Sequence, residues 1–342
     1  MREIKKNKKN LLNKIFIKLC RIFGFEIIDQ SNFSIPTINK KLNEKISVPG
    51  LSSINLPLGK IKISRPVKTL DIILRTCMSI NMLTQSKKRL FEKNKEDYTK
   101  RTLNSIIKSV NEAKIFFKNI KFKIYVIDHN SSTKQIQTLE EMLKKSNIHF
   151  EILNLELNKF VNQIKNINQE NKEVTINQKS NMSNIYQSLL LSRDRSEDLT
   201  YFVEDDYIHE VFSITEMLYA YERISSLTKK EIIICPTDYP YLYTQADDTK
   251  IFLGENRHWR QVDQSLCTFL TSKNIIIRHW EEFVSMCKFE HYPFEKPLHN
   301  IYKKELCVSP IPSLAVHFTN INSIYGLSPN VDWERLWKEN ED

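Results

Sequence analysis

Short apolar runs alternate with longer amphipathic stretches from residue 67 onward. The apolar runs predict five strands, at 69–74, 123–127, 150–153, 199–203 and 231–235. Uninterrupted runs of this length are typical of strands that are buried on both faces. Apolar residues at helical spacing predict four helices between them, at 98–117, 133–144, 182–193 and 213–225. Strands that alternate with helices favour an α/β fold, with a mostly parallel sheet flanked by helices.

The first 66 residues follow another pattern and predict an arm, which leaves 67–342 as the domain. Apolar residues recur at helical spacing near the start of the arm: Leu11, Leu12, Ile15, Phe16, Leu19, Ile22 and Phe23. Lys14, Lys18 and Arg21 fall largely off this stripe. The stripe predicts an amphipathic helix. Pro and Gly residues scattered over 30–66 predict a linker with a small hairpin.

The positive charge of the chain is concentrated in this arm. Residues 1–21 contain eight basic residues and one acidic residue, which is +7 of the formal net charge of +10. A basic amphipathic helix over 8–23 favours binding to an anionic membrane surface. The alternative is a helix that packs on the domain with solvated lysines. We expect no nucleic acid as a partner, because no aromatic or Arg-rich surface accompanies the lysines.

Composition excludes several common classes of protein. With five glycines, the chain has no GxxxxGK[ST] and no GxGxxG motif, so the commonest nucleotide-binding loops are absent. Six cysteines lie far apart without a CxxC pair, which is typical of reduced thiols in a cytoplasmic protein. We expect no secretory signal, because Lys14 and Lys18 interrupt the first apolar run and it lacks a small-residue cleavage site. We expect no membrane-spanning helix, since no apolar stretch of about 20 residues occurs.

Polar groups follow the predicted strands at the ends where a ligand site is expected. In parallel α/β sheets, ligands bind at the carboxyl ends of the strands. The groups found there are Arg75 and Thr76, Asp128, the acids Glu204, Asp205 and Asp206, and Asp238. Three consecutive acids repel one another, and three hypotheses explain them. They cap a helix or pair with a lysine, they are catalytic carboxylates of a hydrolase, or they hold Mg²⁺ or Mn²⁺.

The residues that end these strands resemble those of GT-A nucleotide-sugar glycosyltransferases, especially the family-2-like enzymes. "YFVEDDY" (201–207) resembles the DxD signature, and "KIYVIDHNSS" (123–132) resembles the second-strand element whose Asp contacts the nucleotide base. "LDIILRTC" (70–77) and "NMSNIYQSLLLSRDRSEDLTYFVEDD" (181–206) extend the resemblance over much of 69–207. The sequence departs from the pattern with Glu at 204, with His at 129 and without a downstream Glu-Asp pair.

The resemblance implies a role for each matching position. Asp128 would bind the base, and Arg75 and Thr76 would line its pocket. Glu204 or Asp205 would lie near the ribose, and Asp206 would bind the divalent cation. The nucleotide-binding half would be 67–207, and the acceptor half 208–342.

GT-A enzymes often complete the metal site with a late histidine, and "SLAVHFTNINSIYG" (313–326) offers His317. His279, His291 and His299 are alternatives to it. An inverting transfer also needs a carboxylate base, for which Asp238 and Asp263 are the candidates. Trp259 would contact a sugar face and Arg260 a phosphate, although packing of Trp259 in the core is an equal alternative.

The sequence therefore predicts a metal-dependent glycosyltransferase that uses a nucleoside-diphosphate sugar of the UDP or GDP type. The acceptor would be a glycan or a lipid-linked hydroxyl in cell-envelope polysaccharide synthesis. The protein would be cytoplasmic, or peripheral on the inner face of the inner membrane. One alternative is a metal-dependent nucleotidyl or phosphoryl transferase, and another is an inactive membrane-surface binding protein of the same fold.

Overall fold

The structure is a computed structural model. It describes residues 11–25, 47–55, 59–79, 90–168, 171–244, 248–288, 295–319 and 323–341. Residues 30–46 of the predicted linker (30–66) and the alternative ligand His291 lie outside these ranges. Contacts along the chain define two compact units, Met1–Ile46 and Ser47–Asp342. The predicted arm ended at residue 66, but residues 47–66 belong to the second unit.

The helices and strands have the following bounds. The helices are α1 (Leu11–Ile22), α2 (Lys95–Phe116), α3 (Thr133–Lys145), α4 (Ile176–Arg195), α5 (Ser213–Thr228), α6 (Lys273–Arg278), α7 (Trp280–Lys288), α8 (Lys296–Tyr302) and α9 (Trp333–Glu339). The strands are β1 (Ser47–Val48), β2 (Ser52–Asn55), β3 (Gly59–Lys62), β4 (Thr69–Thr76), β5 (Lys121–Asp128), β6 (His149–Asn154), β7 (Leu199–Glu204), β8 (Tyr207–His209), β9 (Ile232–Ile234), β10 (Ile251–Leu253), β11 (His258–Gln261), β12 (Phe269–Ser272), β13 (Leu306–Ile311) and β14 (Ala315–His317).

The second unit is built on a nine-stranded sheet in the order β10-β11-β13-β9-β12-β7-β4-β5-β6. Strands β6, β5, β4 and β7 are mutually parallel, and so are β9 and β13, whereas β12 runs antiparallel between β7 and β9. Every residue of β4 is buried, so both faces of the sheet are covered at its centre. All five predicted strands and all four predicted helices are present, and the α/β fold class is confirmed.

Strand register determines which polar groups meet at the carboxyl edge of the sheet. Arg75 on β4 lies opposite Glu204 on β7, and Thr76 on β4 lies opposite Asp128 on β5. The chain then turns at 205–206, and β8 pairs with β14 in a separate two-stranded sheet. In that pair Tyr207 lies opposite His317. Residues that are far apart in sequence thus reach one edge.

A buried arginine on α5 explains why residues 47–66 belong to the second unit. Arg223 is fully buried, and its guanidinium donates to Ser47 Oγ, Ser53 Oγ at 2.6 Å and the Leu253 carbonyl at 2.8 Å. It also pairs with Glu255, at 2.8 Å between Nη2 and Oε2. A buried guanidinium is tolerated only when its donors are satisfied. The β1–β2 hairpin therefore completes the surroundings of Arg223.

Replacement of this arginine should destabilise the protein strongly. Arg223→Met removes the cation and leaves the Glu255 carboxylate and two hydroxyls without their partner, so we expect a loss of about 3–5 kcal/mol in unfolding free energy. Lys159→Met removes an exposed pair with Glu156 and should cost at most about 1 kcal/mol. Urea denaturation of both variants measures the two losses. Equal losses would show that the buried network does not hold the hairpin.

Candidate functional site at the carboxyl edge of the sheet

Each of the three consecutive acids is paired with a different basic side chain. Glu204 Oε1 lies 2.9 Å from Arg75 Nη2 on β4. Asp205 Oδ1 lies 3.3 Å from Lys95 Nζ, at the first residue of α2. Asp206 Oδ2 lies 3.4 Å from His317 Nε2 on β14. The three carboxylates diverge because β7 ends at Glu204 and the chain turns at the next two residues.

Asp205 is held on the side of α2. Its Oδ2 accepts from Thr99 Oγ1 at 3.0 Å and from the backbone N–H of Cys77 at 3.4 Å, and the residue is 6% exposed. Lys95 Nζ supplies the opposite charge. Burial alone would lower the pKa of Lys95, but Asp205 and then Asp206 hold that pKa above its usual value. Asp205 thus bonds to the residue that follows β4 and to the start of α2.

Asp206 faces a histidine whose tautomer is determined by its surroundings. His317 Nδ1 lies 2.8 Å from the Tyr325 carbonyl, which can only accept, so Nδ1 carries a proton. The imidazole stacks on Tyr207 at 4.5 Å between ring centroids, with 4° between the planes. In the neutral ring Nε2 then presents its lone pair towards Asp206. Burial lowers the pKa of His317, but Asp206 and then Glu204 reverse the effect and raise it above the usual value.

The pair of Asp206 and His317 fits a divalent cation that is shared with a substrate. No group of three or more His, Cys, Asp or Glu side chains with metal-site geometry occurs within the ranges that the structure describes. A divalent cation such as Mg²⁺ is commonly bound through one or two carboxylates together with substrate phosphates, and imidazole is a ligand of softer divalent cations. A carbonyl that orients the second imidazole nitrogen is a frequent companion of a metal-bound histidine. Asp206 and His317 therefore fit as two protein ligands of such a cation.

Arg75 presents an unsatisfied donor at the same edge. Its Nη1 donates to Asn181 Oδ1 at 3.3 Å. Its Nη2 is buried and has no well-aligned acceptor, although Glu204 lies 2.9 Å away. The contact with Glu204 is thus an ion pair without a directed hydrogen bond. Arg75 thus brings positive charge to this edge, and a guanidinium is suited to the oxygens of an anionic ligand.

Asp128 is the polar centre of a neighbouring pocket. Its Oδ1 accepts from Thr76 Oγ1 at 2.7 Å and from Ser131 Oγ at 2.6 Å, and its Oδ2 accepts from the Ser131 backbone at 3.1 Å. A cavity of about 620 Å³ opens beside it between α3 and β6. Its other lining residues include Phe150, Ile152 and Asn154. Six of the ten lining residues are polar and four are apolar, and this mixed lining can hold a small organic ligand that carries polar groups.

Asp238 and Arg260 form an ion pair in which the carboxylate is shielded from solvent. Asp238 is fully buried, and its carboxylate accepts from Arg260 Nη2 and from Tyr243 O–H, the latter at 2.6 Å. Burial raises the pKa of Asp238, while Tyr243 and Arg260 oppose the rise. The next residue, Tyr239, joins this region to the acid cluster through a 2.7 Å hydrogen bond between its hydroxyl and that of Tyr207.

Trp259, the predicted sugar contact, and Asp263, a predicted candidate for the base, have contrasting surroundings. Trp259 is fully buried, and its indole N–H donates to Glu216 Oε1 at 3.0 Å. No face of this ring is open to a sugar, so Trp259 is a core residue, which is the alternative that the sequence left open. Asp263 is exposed. Among the alternative histidines, His279 pairs with Glu305 at 2.8 Å, and His299 lies 2.9 Å from the Ser265 carbonyl.

Sequence analysis missed two charged residues at this edge, Lys95 and Glu295. Neither is part of a recognisable motif. Lys95 is the first residue of α2 and Glu295 directly precedes α8, and charged residues are common at such positions. Glu295 is 9% exposed, and no other side chain in the described ranges pairs with it. Burial raises its pKa to about 7; Glu204 adds to the rise, while Arg75 and His317 oppose it. Glu295 is thus a buried carboxyl that titrates near neutral pH.

Comparisons with known proteins return structures alone, since no family model and no curated protein matches the chain. Galactosyltransferase LgtC with donor and acceptor sugar analogues is 11% identical, covering 79% of this chain and 94% of that chain, with a TM-score of 0.37. Glycosyltransferase GlyE of Streptococcus pneumoniae is 8% identical, with coverage of 79% and 63% and a TM-score of 0.36. UTP-bound UGPase from Acinetobacter baumannii is 8% identical, with coverage of 75% and 90% and a TM-score of 0.38. At these scores the likeness assigns a role to no residue of this chain.

Glu295 should make the stability of the protein depend on pH. A carboxyl whose pKa is raised by folding, here from 4.5 to about 7, stabilises the folded state at low pH, and this contribution is lost as pH rises from 4.5 to 7. We expect Glu295→Gln to remove a decline of about 2–3 kcal/mol in unfolding free energy between about pH 5 and pH 8.

Denaturant unfolding across this pH range measures the difference in slope between the parent protein and the variant. Glu281→Gln on α7, an exposed carboxyl, is the matched control and should leave the slope unchanged. If Glu295→Gln and Glu281→Gln give the same slope, Glu295 is ionised in the folded protein.

Proposed function

We propose that the protein transfers a sugar from a nucleoside diphosphate to an acceptor hydroxyl, with a divalent cation held by Asp206 and His317. The observation that supports this most is the Asp206–His317 pair, 3.4 Å apart, in which the Tyr325 carbonyl holds Nδ1 and so turns Nε2 towards the carboxylate. A cation there stabilises the negative charge that develops on a departing diphosphate. Between the two expected ions, a carboxylate with an imidazole suits manganese better than magnesium, which prefers oxygen ligands alone.

The remaining residues of the edge bind and orient the donor. Arg75 Nη2, a buried donor without an aligned acceptor, binds a phosphate oxygen or a ribose hydroxyl. Lys95 adds positive charge beside the acids and pairs with Asp205. Thr76 and Ser131 orient Asp128, which faces the cavity of about 620 Å³ and binds the nucleotide base there.

Three carboxylates are candidates for the base that accepts the proton of the acceptor hydroxyl. Asp238 is buried and is bonded to Arg260 and Tyr243, so it acts only if the acceptor displaces one of these partners. Asp263 is exposed, so an acceptor can approach it without displacing a buried partner. Glu295 has a pKa of about 7, raised by burial, and this value suits proton transfer near neutral pH. An inverting enzyme needs one of them within hydrogen-bond reach of the acceptor.

The divergence of the acids favours sugar transfer over nucleotidyl transfer. A two-metal phosphoryl-transfer site needs several carboxylates that converge on one point. Here Glu204 is turned to Arg75 and Asp205 to Lys95, so Asp206 alone faces His317. The proposal extends to a glycan or lipid-linked acceptor of the cell envelope, and to a position in the cytoplasm at the inner membrane, on the strength of the basic arm.

Calorimetric titration with UDP, GDP and CMP, each with and without Mn²⁺, tests the donor site. We expect one nucleoside diphosphate to bind in a metal-dependent manner, with affinity reduced at least about tenfold in Asp206→Ala and in His317→Ala, because each variant removes one ligand of the cation. Asp194→Ala, which removes an exposed carboxylate paired with Arg193, should bind like the parent protein.

Two outcomes would contradict the proposal. A folded protein that binds no nucleotide would leave the three acids as a structural cluster balanced by Arg75, Lys95 and His317. Formation of a nucleoside triphosphate from the bound nucleotide sugar and inorganic pyrophosphate would identify a nucleotidyltransferase instead.

A further inference from the structure

Helix α1 exposes a continuous apolar face. The exposed fractions are 77% for Leu12, 49% for Ile15, 60% for Phe16, 49% for Leu19, 71% for Ile22, and 74% and 69% for Phe23 and Phe25 in the turn that follows. Leu12, Ile15, Phe16, Leu19 and Ile22 are spaced by three or four residues and therefore project from one side of the helix. Seven large apolar side chains on 14 successive residues form a surface that water solvates poorly.

The opposite side of α1 is basic. Lys18 and Arg21 are exposed on it, and Arg21 lies in the last turn of the helix. The helix has no acidic residue, and residues 1–21 include eight basic residues against the single acid Glu3. The helix thus combines an exposed apolar face with a concentrated positive charge.

We propose that α1 binds an anionic lipid surface and lies in the plane of the interface. Its apolar face would enter the boundary between headgroups and acyl chains, and Lys18 and Arg21 would contact lipid phosphates. With 12 residues the helix is about 18 Å long, which is shorter than the hydrocarbon core of about 30 Å. Among the described helices none is long and apolar enough to cross a membrane. The proposal goes beyond sugar transfer and does not depend on it.

The positive charge and the apolar face of α1 together favour an anionic lipid surface over other partners of this helix. A second copy of the chain would bring two arms of +7 together, and like charges oppose such an association. Nucleic acid would satisfy the lysines but would leave Phe16, Ile22 and Phe23 in water. An anionic bilayer satisfies both faces at once.

Co-sedimentation of the full chain with vesicles tests the proposal. The vesicles contain either phosphatidylcholine alone or phosphatidylcholine and phosphatidylglycerol in equal parts, at about 0.1 M and about 0.5 M salt. We expect binding to the anionic vesicles at low salt, with at least about tenfold weaker partition to phosphatidylcholine alone and a marked loss at high salt.

Three variants separate the contributions of the two faces. Phe16→Glu should reduce partition to anionic vesicles at least about tenfold, because it places a negative charge in the apolar face. Lys18→Glu should weaken binding to anionic vesicles only. Ile115→Glu, an equally exposed apolar residue on α2 at 57%, is the matched control and should bind like the parent protein.

Absence of vesicle binding by the parent protein would overturn the proposal, and so would equal binding by Phe16→Glu and Ile115→Glu. Light scattering that shows an oligomer which Phe16→Glu dissociates, without vesicle binding, would identify a second copy as the partner. A lower melting temperature in Phe16→Glu without vesicle binding would show that α1 packs on the protein. Nucleotide titration of each variant keeps this test separate from that of the donor site.

Discussion

The arrangement of side chains at the carboxyl edge of the sheet depends on how the negative charge of three acids at the end of β7 is compensated. Three adjacent carboxylates cannot remain ionised in partly buried surroundings unless positive charge is placed beside them. The fold supplies that charge from three places, namely Arg75 on β4, Lys95 at the start of α2 and His317 on β14. Each cation approaches from a different direction, so the acids are drawn apart and acquire separate roles.

This separation has a consequence for chemistry. Glu204 and Asp205 are occupied by permanently charged partners, whereas Asp206 faces an imidazole, which can release its proton and bind a metal. Only the third acid is therefore suited to exchange its partner for a cation that arrives with a substrate. The Tyr325 carbonyl and the Tyr207 ring fix the orientation of His317, with Nε2 on the side of Asp206.

Buried polar networks also shape the half of the domain beyond β8. Arg223 satisfies its donors with the β1–β2 hairpin and Glu255, and Glu216 accepts from Trp259. Asp238 and Arg260 form a further pair in which the carboxylate is fully buried. Because a buried charge without a partner is costly, these pairs determine where short strands such as β10 and β11 lie against α5. Local sequence patterns do not indicate such pairings.

The sequence by itself determined the five strands and four helices that were predicted, because long apolar runs and helical periodicity are local properties. It also located Arg75, Thr76, Asp128 and the acids at one edge, since carboxyl ends of parallel strands meet there. It could not show that Trp259 is a core residue, nor find Lys95 and Glu295. Those outcomes belong to the tertiary structure, because burial and the choice of an ion-pair partner depend on residues that are distant in sequence.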